Sequence, residues 1–176
     1  DTLARYRDAV VQVNSILKIE VTGGSSSGAA QEQPIETLGT VVHPSGLTVV
    51  AASALNPLGA IGTLDIQGTS VRPQGSTSQI RLRMSDGTEI PMKQVVTDED
   101  LDLAFLAPDP EKPAPKQTFA SVPLDPAAEA KVMDELITVG RAGKLFNWEP
   151  AVGVVRIFAR ITKPRVNYLF SGGYSG

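Results

Sequence analysis

From Gly39 to Leu55 the chain reads GTVVHPSGLTVVAASAL, and this stretch restricts the fold more than any other. Val, Thr and Leu favour the pleated, half-buried surface of a sheet. Between the two apolar runs, Pro-Ser-Gly supplies a fixed φ and a permissive glycine, the requirements of a tight turn. The reading is a strand at Thr40–Val42, a turn at His43–Gly46, a second strand at Leu47–Val50, and a run of small residues at Ala51–Ala54. A hairpin that ends by delivering a small hydroxyl residue, Ser53, is either ordinary core architecture or the lip of an active site.

The remaining segments are also β in character. Val10–Val21 alternates at Val11, Val13, Leu17, Ile19 and Val21, the period of a strand with one buried face. Gly23–Pro34 is small and polar and reads as a surface loop; Asn56–Gln79 reads as a second long loop, with a short strand at Leu64–Ile66. Ser85-Asp86-Gly87 joins Ile80–Met84 to Thr88–Val96, and Asp-Gly between alternating apolar residues is a strong hairpin signal. A short apolar strand follows at Leu103–Ala107. Pro108–Pro115 then carries four prolines in eight residues, which cannot join a central strand and marks a linker. Beyond it lie strands at Glu135–Gly140, Ala151–Ile161 and Val166–Phe170, with room for one helical turn in Val122–Val132 and another, or a loose lead-in, at Asp1–Asp8. The expected fold class is all-β. Residues 1–108 form a first barrel, 109–118 a Pro-rich linker, and 119–176 an incomplete second barrel.

Composition removes several classes of function. At 176 residues the chain can bury a real core. A net charge of -3 with 20% charged residues suits neither a disordered acidic tail nor a nucleic-acid binder, so no nucleic-acid partner is expected. No run of about 18 apolar residues exists, so no transmembrane segment is expected. The N-terminus lacks a signal-peptide pattern, as a mature chain with its signal removed also would. The absence of cysteine excludes disulfides and thiolate chemistry, and the lone His43 excludes a histidine-rich metal site within one chain. The expectation is therefore no metal and no cofactor.

The order of segments carries more information than any one of them. A hairpin ending near Ser53 is followed by SDG at Ser85–Gly87, by DLAFL at Asp102–Leu106, by ITVG at Ile137–Gly140, by VGVV at Val152–Val155, and by GYSG at Gly173–Gly176. This series resembles the trypsin-like serine proteases of the chymotrypsin fold, and within them the HtrA (DegP-like) branch. There the blocks run T-N-A-H-V-V, S-D-G followed by D-L-A-L-L, A-I-G-N-P, V-T-x-G-I-V-S and G-N-S-G-G. The resemblance extends from about Val10 to the end. It implies a trypsin-like double β-barrel, with the first barrel complete and the second truncated in this chain.

By resemblance, Asp102 falls on the catalytic aspartate, which orients a histidine and stabilises its cation. Ser175 falls on the nucleophile, and the N–H groups of Gly173 and Ser175 on the oxyanion hole. Ser171 is a rival nucleophile, but Leu169 stands where G-x-S-G needs glycine. Taken alone, Asp102 also reads as a turn cap, Ser53 as a small turn filler, and Asp98–Asp100 as a solvated acidic face. The departure from the family pattern is at the base. Ala52-Ser53-Ala54-Leu55 replaces A-H-V-V, so Ser53 occupies the histidine position and the triad is degenerate. His43 belongs to the preceding turn, at the far end of the strand, about 20 Å or more away at ~3.3 Å per residue. A serine hydroxyl is a weak nucleophile without an adjacent base, and loss of that base typically costs on the order of 10⁶ in kcat.

The expected function is a catalytically inactive HtrA-like pseudoprotease that binds peptide or protein segments or acts as a scaffold. The alternative is an active serine endopeptidase with an unusual base or a histidine from another chain. A third class is a β-barrel interaction module with no protease ancestry. A truncated second barrel would leave exposed strand edges that invite self-association. Extracytoplasmic localisation, periplasmic or secreted, is implied by the resemblance alone.

Overall fold

The computed structural model describes the chain except for residues 23–30, 60, 62–63, 67–68, 113, 116, 126–127 and 172–176. A short helix, α1 (Thr2–Tyr6), is capped by the Asp1 carboxylate, which accepts the N–H groups of Leu3 and Ala4, and one 3₁₀ turn, Arg7–Ala9, follows. The chain then enters a sheet of antiparallel strands: β1 (Val10–Thr22), β2 (Gln31–Val41), β3 (Thr48–Ala51), β4 (Leu64–Ile66), β5 (Thr69–Arg83), β6 (Glu89–Asp98) and β7 (Leu103–Pro108). Their spatial order is β1-β2-β3-β7-β6-β5-β4, and β1 pairs with β5 as well, closing a six-stranded barrel with β4 appended as a hairpin arm. A second sheet holds β8 (Glu135–Arg141), β9 (Pro150–Ile161) and β10 (Asn167–Ser171) in the order β10-β9-β8. The all-β class and the closed first barrel agree with the sequence reading.

Alternation explains why the first barrel closes around its own core. Val11 and Val13 of β1, Leu82 of β5, Ile90 of β6 and Leu106 of β7 point inward and are buried, whereas their neighbours Arg81, Arg83 and Glu89 are exposed. Burying such side chains contributes about 1.5–3 kcal/mol each. Gly39 is required by the packing: a Cβ there would lie 2.7 Å from Thr48 Cγ2 and 2.9 Å from Val50 Cγ1. At the hairpin turn Gly46 takes φ +89°, and Phe119 closes against it. Phe119 follows the proline-rich stretch and falls within residues 119–176, yet it packs into the first core. Just beyond it, Val122 N–H donates to Val41 O at 2.9 Å.

Three expectations are corrected. The loop expected over Asn56–Gln79 is strand from Thr69 onward, because this half of β5 pairs with β1 from Arg72↔Thr22 inward. A bulge interrupts that ladder between Asn14 and Ile16, and its extra residue, Gln79, has φ +51°. Beyond the bulge the inward positions shift from Ile80 and Leu82 to Gly75 and Thr77, so no single period spans the strand. The loop expected through Pro34 is strand from Gln31; residues 23–30 lie outside the described residues. The segment Val122–Val132 contains no helical turn among its described residues.

The second sheet buries one face and exposes the other. Val155 and Ile157 of β9 are fully buried, while Val152, Val154 and Phe158 on the opposite face are exposed, as is Ile137 beside Val154. Arg141 ties this sheet to the first barrel: its Nε–H donates to Val10 O at 2.6 Å and an Nη2–H to Arg7 O at 3.2 Å. Lys144 adds an ion pair to Glu36 at 2.9 Å.

Candidate functional site

Strand β3 runs directly into a single helical turn, α2 (Ala52–Leu55). Four residues do not make a stable helix by propensity, so this turn depends on groups outside it. Its cap position, Ala51, has no side chain able to accept a hydrogen bond, and Asp102 from the β6–β7 turn does that instead. Ala52 N–H donates to Asp102 O at 3.0 Å, and Ser53 N–H donates to Asp102 Oδ1 at 2.7 Å. The Ser53 hydroxyl donates to Asp102 Oδ2 at 2.6 Å. At the other end, Thr77 Oγ1 donates to Leu55 O at 3.0 Å and Asn56 Nδ2 to Gly75 O at 2.9 Å. The turn is pinned at both ends to strands far away in sequence.

The residue that does most of this pinning sits in an unusual backbone conformation. Asp102 has φ +54°, a region that Asp tolerates better than most residues. The turn before it is held by its own acids: Asp98 Oδ1 accepts Leu101 N–H at 3.0 Å, and Asp102 N–H reaches Glu99 O at 3.4 Å. Arg165, between β9 and β10, lies 2.9 Å from Asp100 and 3.6 Å from Asp98. The acidic run is mostly solvated, as expected, with Glu99 and Asp100 exposed, and it also meets a cation from the loop between β9 and β10. These exposed pairs orient the turn and add little stability.

The Ser53 hydroxyl, and secondarily the Ser53 N–H, hold the Asp102 carboxyl below the usual carboxylate range. The group is therefore an anion at neutral pH, with both oxygens engaged by one residue. Each oxygen keeps a further lone pair for a donor. Around the pair opens a groove of about 540 Å³, lined by Leu55, Asn56, Gln94, Thr97 and Glu99 as well as by Ser53 and Asp102. Gln94 Nε2 donates to Thr97 Oγ1 at 2.6 Å on the groove wall.

The structure brings Ser53 and Asp102 into direct contact. Gly173 and Ser175, the residues matched to the oxyanion hole and nucleophile, lie outside the described residues. The rival Ser171 ends β10, opposite Arg156. His43 is exposed in the β2–β3 turn, where its Nδ1 accepts Ser45 N–H at 3.1 Å and lies 2.8 Å from Ser45 Oγ. It is not among the residues lining the groove.

No local pattern marks Thr77, Gln94, Thr97 or Arg165, which come to the site from other elements, and Asn56 belongs to it as the residue that closes α2. Glu99 is exposed, as expected of a solvated acidic run, and also lines the groove. Among the described residues no group of three or more acids, histidines or cysteines could hold a metal, and no helix is long and apolar enough to cross a membrane. No family model matches this chain, and no curated protein matches it.

Proposed function

We propose that this chain is a trypsin-like serine protease homologue of the HtrA branch that has lost its general base and works as a peptide- or protein-binding module in an extracytoplasmic setting. One observation carries the reading: the Asp102 carboxylate receives both the N–H and the O–H of Ser53, at 2.7 and 2.6 Å. In a serine protease triad the aspartate holds an imidazole in the orientation that lets it take the nucleophile's proton. Here a hydroxyl fills that role of donor to the aspartate. It satisfies the carboxylate and cannot usefully accept a proton from Ser175. On this reading β8–β10 belong to the second barrel of the double-barrel fold. Binding would use the groove beside Asp102 together with open strand edges, where an extended peptide adds main-chain hydrogen bonds.

The test is covalent labelling of Ser175 by a fluorophosphonate, run on the wild type and on Ser53→His. The wild type is expected to stay unlabelled, and Ser53→His, which presents an imidazole to Asp102, to gain labelling at Ser175. Robust labelling of the wild type would overturn the proposal in favour of an active endopeptidase with an unusual base or a histidine from another chain. A folded Ser53→His variant that gains nothing would favour a barrel module with no protease ancestry.

A further inference from the structure

The outward face of β1 should be wet, yet Val10 and Gln12 on that face are only 6% and 7% exposed. Arg141, at the end of β8, and the turn that follows lie beside them: Arg141 Nε–H reaches Val10 O, and Gln12 shares a cleft wall with Arg141 and Trp148. In that turn Glu149 N–H donates to Phe146 O at 3.1 Å, and the two central residues, Asn147 and Trp148, both have positive φ, +52° and +57°. Asn is at home there. A tryptophan is an outlier, a strain that the surroundings must impose. Its effect is to set Trp148 at the wall of a cleft of about 310 Å³ at the seam between barrel and second sheet, lined also by Gln12, Arg83, Asp86 and Arg141.

The polar groups in this cleft are only partly used. The Arg141 guanidinium has five N–H donors. Three are engaged, by Val10 O, Arg7 O and, at 3.1 Å, Trp148 O, and no described carboxylate lies within ion-pair distance. Arg83, paired directly with Gln12 across the β1–β5 ladder, has no described carboxylate partner either. Asp86 is the one acid of the lining, and its Oδ1 is occupied by Thr88 N–H at 2.8 Å. Gln12 spends its Nε2–H on Asn14 Oδ1 at 3.0 Å, which leaves Oε1 without a described donor. The cleft therefore offers two guanidinium groups for an anion, one amide oxygen for an N–H, and one indole for apolar contact.

We propose that this cleft binds the free C-terminus of a peptide, with its carboxylate on Arg83 and Arg141, its last amide N–H on Gln12 Oε1, and its last side chain against Trp148. Guanidinium groups match a carboxylate in shape as well as charge. A carboxylate with an amide N–H on the adjacent carbon is the chemistry that satisfies both kinds of group at once. The site is separate from the Ser53–Asp102 groove and does not depend on protease ancestry.

Trp148 is the only tryptophan in the chain, so its emission reports on this cleft alone. The experiment titrates the full chain with an N-acetylated tetrapeptide ending in Leu, as the free acid and as the C-terminal amide, with inorganic phosphate as a third arm. The free acid is expected to change Trp148 emission saturably, with the amide binding at least tenfold more weakly. The exposed substitution Arg83→Gln should weaken the acid at least tenfold, and Gln12→Glu, which sets a carboxylate against the ligand's own, should weaken it similarly. Equal binding of acid and amide, or no saturable change up to millimolar peptide, overturns the proposal. Phosphate that binds as tightly as the peptide overturns it in favour of an unselective anion site.

Discussion

The contact between Ser53 and Asp102 has consequences that single substitutions separate. Ser53→Ala removes the hydroxyl donor and leaves the N–H, so the Asp102 carboxyl titration should move up toward the ordinary carboxylate value. A ¹³C NMR titration of the carboxyl carbons measures this, and an unmoved Asp102 would show that the hydroxyl does not act on it. The sign for stability follows from the same bond. Because folding lowers this pKa, the stabilisation is fully present above the unfolded value near 3.9 and is lost as pH falls through the folded value. Asp102→Asn should accordingly flatten the decline of Tm with acid below about pH 4. Asp86, held low by Thr88 N–H, contributes with the same sign and remains in that variant as an internal comparison. Ser53 and Asp102 were legible in the sequence because each stands inside a recognisable block, a hairpin exit and a DLAFL strand. Asn56, Thr77 and Arg165 were not, because nothing local marks a side chain whose partner lies in another strand or in the other sheet.

At the scale of elements, turn chemistry wrote the clearest signals. Pro-Ser-Gly and Ser-Asp-Gly located two hairpins almost to the residue, since a turn is specified by the residues within it. The first half of β5 stayed hidden for the opposite reason. Its polar residues are held by the ladder to β1, and the bulge at Gln79 breaks the period that reveals strands. Two substitutions probe what holds these elements. Gly39→Ala forces a methyl group against Thr48 and Val50 and should cost about 1–3 kcal/mol in a urea melt. A cost near zero would mean that β2 and β3 can move apart. Thr77→Val strips Leu55 O of its donor and should cost about 1 kcal/mol. Amide exchange at Asn56, whose N–H closes α2 onto Ala52 O, should quicken while that of the β6–β7 strands does not.

For the molecule as a whole, Arg141 is the main polar link between the barrel and the second sheet. Burial pushes its pKa down from the usual arginine value, against the opposing pull of Asp8 and Glu149, while the side chain serves three main-chain carbonyls. Arg141→Met should lower stability by about 1–3 kcal/mol, because the half-buried guanidinium serves three carbonyls that the methionine leaves without a donor. Amide exchange should show β8–β10 opening before the barrel in that variant; loss of both together would mean that the two sheets form one cooperative unit. Closure of the barrel also bears on how the chain is made. β1 pairs on one side with β2, its neighbour in sequence, but on the other with β5, where Gln12 must find Arg83. During synthesis β1 therefore keeps one edge bare until the chain as far as Arg83 has left the ribosome. Contacts of this span make a barrel slow to fold and expose it to edge-to-edge misassociation in the interval. A nascent chain halted before Arg83 should bind holdase chaperones far more strongly than one halted after Pro108.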